Sequence, residues 1–168
     1  PFSLSTSFYP LLLAQFGYGE ESSGLLVALR AVGAVAAGLV AARFVRTGPH
    51  TLWPVVCGVA VAAAVGLMPV VNHAALIGAW MLIVGLASGA MTLYFQITIA
   101  DASRPEERGS ALALGGLGWS LSHISTPLLM GLLADRYGIV AAFYAIGLLA
   151  LACAVGVGFM RRWAFSPP

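Results

Sequence analysis

Residues 74–99 read AALIGAWMLIVGLASGAMTLYFQITI, an apolar run with no Asp, Glu, Lys, Arg or His. About 20 apolar residues in helical conformation cross the ~30 Å hydrocarbon core of a bilayer. This run exceeds that length, so its solvent is lipid. Working outward, similar runs occupy residues 1–16, 23–45, 52–71, 110–133 and 138–160, with short charged loops between them. The first is short and starts at Pro1. The 168-residue chain is 60% hydrophobic and 8% charged, with mean hydropathy +0.95. A water-soluble domain needs far more polar surface. The expected fold class is an all-α integral membrane protein: one domain, residues 1–168, with six transmembrane helices in the lipid bilayer. The lack of Met at position 1 predicts the C-terminal part of a longer chain, a cleaved signal peptide being the alternative.

Composition excludes other classes. The net charge is +2 and all eight cations are Arg, dispersed among separate loops, so no basic patch exists to neutralise nucleic acid. Cys57 and Cys153 sit inside apolar runs and read as small buried hydrophobes, neither a disulfide framework nor a metal site. No cofactor is implied. The Arg residues also orient the bundle. Arg43, Arg46, Arg104, Arg108, Arg161 and Arg162 fall at one end of the six runs, against Arg136 alone at the other. The positive-inside bias predicts a cytoplasmic C-terminus in a cell membrane. Ser103-Arg-Pro-Glu106 reads as a capping box that starts the fifth helix, with Ser103 as N-cap.

Polar residues inside the apolar runs recur with a period of three helices. Helix one carries Ser3, Ser5, Thr6, Ser7, Tyr9 and Gln15, and Pro10 is expected to kink it. Helix four carries Ser88, Thr92 and Gln96 at steps of four, which aligns them in one stripe. Helices two and five each hold one notable ionisable residue, Arg30 and His123, while helices three and six are bland. Two three-helix units with matching roles fit an inverted repeat, the polar helices lining an aqueous cavity. Hydroxyls that merely bond back to their own helix are the alternative.

Arg30, about seven residues in from the outer end of its run and so ~10 Å deep, is a candidate contact for an anionic substrate group or a gate. Its alternatives are snorkelling to the surface or pairing with Glu20 or Glu21. His123 sits near the middle of helix five, with Trp119 one turn before it and Pro127 four residues after. Pro127 cannot donate to the His123 carbonyl, which leaves an acceptor beside a titratable ring. A structural histidine bonded to a neighbouring helix is the other reading. All six carboxylates lie in loops or at helix ends, so a proton carrier in this chain would be His123. Ala34/Gly38 and Gly85/Gly89 are spaced for close helix contact, and Gly115, Gly116 and Gly118 smooth the start of helix five.

Helix two ends Gly38-Leu-Val-Ala41-Ala42-Arg43-Phe-Val-Arg46. It resembles the cytoplasmic loop signature of the major facilitator superfamily, roughly G-x-x-A-D-R-x-G-R, with Ala42 in place of Asp and Val45 in place of the second Gly. Residues 101–111 look like that family's loop between helices ten and eleven. Pro127–Gly138, followed by Ala142-Phe143, looks like the passage from helix eleven to twelve. Gly131–Gly138 also resembles the loop signature, which points to the cytoplasmic side; the Arg count opposes this and is followed. The resemblance implies helices seven to twelve of a twelve-helix transporter, with a small-molecule substrate bound between this half and a missing N-terminal half. It implies secondary active transport by alternating access, with drug or metabolite efflux as the first guess; if protons are the coupling ion, their carrier is His123 or a residue in the missing half. An intramembrane serine protease using Ser88 and His123 is a rival; Leu86 stands where its G-x-S-G motif needs Gly. A non-transporting structural subunit is another.

Overall fold

The computed structural model describes residues 2–44 and 53–164, with side chains over 7–39 and 53–159. Six α-helices follow one another: α1 Phe2–Gln15, α2 Glu20–Phe44, α3 Trp53–Gly66, α4 Ala74–Ala102, α5 Arg108–Tyr137 and α6 Ile139–Ala164. A single 3-10 turn, Met68–Val70, extends α3. The six apolar runs are thus six helices. By length and composition, three described spans can cross a bilayer: Glu20–Leu39, Ala74–Ala102 and Ile139–Phe159. The 14 residues each of α1 and α3 cover only ~21 Å. The 30 residues of α5 are long enough but carry many Ser and Gly.

Local chemistry sets the reversals. Gly17 has φ +84° and closes α1 in a Schellman motif. Tyr18 N–H donates to the Leu13 carbonyl at 3.1 Å and Gly17 N–H to that of Ala14 at 3.0 Å. Gly138, also at φ +84°, turns α5 into α6 within one residue. The capping box does not form. The Ser103 hydroxyl instead donates back to the Ile99 carbonyl at 2.6 Å, satisfying an acceptor that the end of α4 leaves open. Helix α5 begins later, at Arg108, after an N-cap Glu107 whose side chain makes no capping bond. Arg108 Nε donates to the Ala100 carbonyl at 2.9 Å and ties the new helix to the end of the old one.

Helices α2 and α4 make the most extensive contact, followed by α3 with α6 and α3 with α4. The remaining helices pack more lightly: α5 on α6, α1 on α2 and α5, and α4 on α5. Helices α1, α2, α4 and α5 form a ring, with α3 and α6 behind it. The largest fully buried side chains are Tyr9, Leu12, Leu13, Val65, Met68, Ile77, Met81, Val84, Met130 and Phe143. Nearly all lie toward the end of the bundle that carries Gly17, Asn72 and Gly138, so that end is plugged.

Glycine permits the tightest contacts. A Cβ on Gly33 would sit 2.5 Å from the Leu82 carbonyl oxygen, one on Gly85 would run into the Arg30 carbonyl, and one on Gly89 would lie 2.8 Å from that of Ala34. Between α3 and α6, a Cβ on Gly147 would stand 2.5 Å from the Gly66 Cα. Lipid tails are as apolar as Leu, so helix association in a bilayer relies on such close packing. The Gly85/Gly89 spacing is therefore a contact, as its sequence predicts. Gly38, Gly116 and Gly118 have nothing within 4 Å, which corrects the reading of those positions as packing surfaces.

Candidate functional site

The polar stripe of α4 continues, toward the C-terminal end of the helix, the face that buries Ile77, Met81, Val84 and Gly85. Ile77, Gly78, Met81, Val84 and Gly85 are buried, whereas Ser88 is half-buried and Thr92 and Gln96 are exposed. Ser88 Oγ donates to the Gly85 carbonyl at 3.2 Å and Thr92 Oγ1 to the Ser88 carbonyl at 2.9 Å. The hydroxyls thus satisfy themselves within the helix, and their oxygens keep acceptor capacity. A hydroxyl has one proton. Since Ser88 gives it to its own backbone, it is not donating to His123 as a protease nucleophile would.

On α5, His123 is half-buried and shares a hydrogen bond of 3.2 Å between Nδ1 and the Trp119 carbonyl. With the carbonyl as acceptor, Nδ1 carries the proton. The Trp119 ring lies over the imidazole, centroids 4.0 Å apart and planes tilted by 46°. The helix runs unbroken through Pro127. Trp119 is exposed, as are Ser120 and Ser122, so this pair forms a ledge on the open flank of α5. A separate exposed face of the same helix holds Leu114, Leu117, Leu121, Ile124, Leu128 and Leu132.

Arg30 is buried at the crossing of α2 with α4. Helix α2 starts at Glu20, earlier than the apolar run, so Arg30 lies ~15 Å along the helix itself. Tyr9 of α1 is completely buried, stacked on Phe143 of α6 at 5.5 Å. The Tyr9 hydroxyl has no hydrogen-bond partner among the described residues. Gln15 is exposed at the end of α1. Of the loop motif, Gly38 is open, Arg43 lies within α2 outside the described side chains, and Arg46 lies outside the described residues. The candidates therefore include the α4 stripe, the α5 ledge, and the separately buried Tyr9 and Arg30.

No curated protein and no solved structure matches the chain. A family model described as Major Facilitator Superfamily matches residues 2–168. With a helical bundle carrying membrane-length apolar spans, the chain belongs to the Major Facilitator Superfamily, a family of multi-pass membrane proteins that move solutes across the bilayer.

Proposed function

We propose that the chain is the C-terminal six-helix half of a secondary active transporter that moves a small solute, as an exporter, by alternating access. The observation that carries this reading is the exposed α4 stripe. Thr92 and Gln96 continue the α4 face that is locked to α2 at Gly85 and Gly89, and they are exposed beyond that contact. An amide left in hydrocarbon is costly, so the stripe borders water. The Trp119–His123 ledge supplies an aromatic surface and the titratable group through which protons would couple.

Part of the helix pairing fits an inverted repeat, the α3–α4 and α5–α6 contacts having no comparable counterpart among the described residues. Exchanging α1 with α4, α2 with α5 and α3 with α6 turns the α1–α2 contact into α4–α5 and the α2–α4 contact into α1–α5, all of which occur. The degenerate loop signature at Gly38–Arg46 supports the C-terminal half, and the Arg bias a cytoplasmic C-terminus. Exposed apolar stripes on α2 (Leu25, Val32, Val35, Leu39) and α5 are the surfaces offered to the N-terminal half.

Cysteine accessibility tests the reading. In a chain with Cys57 and Cys153 replaced, Thr92→Cys and Gln96→Cys react with a water-soluble maleimide and Ile124→Cys stays unlabelled. Unreactive Thr92→Cys and Gln96→Cys would mean that the stripe faces lipid, and the transporter cavity is then not here.

A further inference from the structure

We propose that the α4 stripe and the α5 ledge are the two walls of one cleft, which binds an uncharged planar aromatic solute bearing an N–H or O–H donor. This rests on the transport reading above and names the substrate class. Helix α5 runs back along α4, and two contacts fix its register. Arg108 Nε donates to the Ala100 carbonyl at 2.9 Å, and the Ile99 Cδ1 would lie 2.9 Å from a Cβ on Gly115. Successive helical residues turn by ~100°. Ile99 therefore shares its face of α4, within ~60°, with Ser88, Thr92 and Gln96. Gly115 shares its face of α5, within ~60°, with Trp119, Ser122 and the buried Met130. The faces that meet at Ile99 and Gly115 thus carry the stripe and the ledge onward. At ~1.5 Å per residue, Gln96 stands level with Trp119 and Thr92 with Ser122, each pair to within ~2 Å. All four are exposed, so the helices part beyond the Ile99 contact and leave a cleft that closes again at Met130.

The chemistry of the walls selects the solute. Ser88 and Thr92 give their hydroxyl protons to their own helix, at 3.2 and 2.9 Å, so toward the cleft they are acceptors. The ledge offers the exposed Trp119 ring, on which another flat ring stacks. A cation finds no counter-charge on either wall. Asp101 lies ~180° around α4 from Thr92, and Asp135 ~160° around α5 from Trp119. An anion would meet hydroxyl oxygens whose protons are already committed. A neutral ring with a donor on its edge satisfies both walls at once.

The test uses the full natural chain in nanodiscs, with radiolabelled indole as the probe. N-methylindole is the same ring without its donor, and N-methylquinolinium is a flat cation. Indole binds saturably, N-methylindole displaces it about tenfold more weakly, the loss of one hydrogen bond, and N-methylquinolinium does not displace it. Trp119→Ala abolishes binding; Trp119→Phe, which keeps a ring if the smaller variant does not fold, retains it. Thr92→Val combined with Gln96→Leu removes the preference for indole over N-methylindole. In the chain with Cys57 and Cys153 replaced, saturating indole slows maleimide labelling of Thr92→Cys and of Ser122→Cys alike. Equal displacement by the two indoles, displacement by the cation, or protection on one helix only overturns the site. Cysteines that label freely while indole does not bind remove the aromatic class and leave the transport reading. Bound indole with both cysteines closed to the maleimide keeps the site and removes that reading.

Discussion

The α2–α4 contact and the first two-thirds of α5 use the same residue types and reach opposite outcomes. Both are rich in Gly, Ala and Leu. On α2 and α4, Gly33, Gly85 and Gly89 each meet the backbone of the partner helix. On α5, only Gly115 meets anything, the tip of the Ile99 side chain, and every residue from Leu112 to Ser122 is exposed. Small residues allow close approach, but a contact needs small residues on two helices at the same height. Helix α5 lacks that facing partner within this bundle. It is held instead at its two ends, by Arg108 on the α4 carbonyls and by Met130 and its neighbours in the plugged core.

The largest break of this contrast is Gly85→Ala. Its new Cβ meets the Arg30 carbonyl, which belongs to backbone and cannot swing aside. We expect a loss of about 3 kcal/mol in reversible denaturation, at the upper end for overpacking. A loss below ~0.5 kcal/mol would show that the two helices are not interlocked. Next comes Arg108→Gln, which removes the bond to the Ala100 carbonyl. Because that bond is exposed, the loss is up to about 1 kcal/mol, and faster amide exchange near Ala100–Arg108 reports the freed junction. The smallest effect belongs to Gly116→Ala, whose Cβ enters open space. Stability should change by less than ~0.5 kcal/mol. A larger loss places another helix against α5 and locates where a second bundle docks.

Much of this was legible in the chain itself. The six apolar runs, their order and their boundaries emerged to within a few residues, because hydropathy and the glycine turns at Gly17 and Gly138 are local properties. The α4 stripe was legible for the same reason: steps of four on one helix fix a common face. The start of α5 was misread at Ser103. Its hydroxyl can cap the following helix or bond back to the preceding one, and the open Ile99 carbonyl decides between them. Arg30 was read as ~10 Å deep, a substrate contact or gate, with snorkelling or pairing to Glu20 or Glu21 as the alternatives. Its burial beside α4 involves a helix that no window along α2 contains.

By itself, the sequence determined the solvent, the helical secondary structure and the polar faces, since each depends on neighbours within a few residues. Only the tertiary structure decided which glycines meet a backbone, which flank of α5 stays open, and that Tyr9 and Arg30 are buried. Those outcomes depend on register between helices far apart in the chain. In lipid, where apolar surface gains nothing by leaving one apolar neighbour for another, that register is set by shape and by buried polar groups.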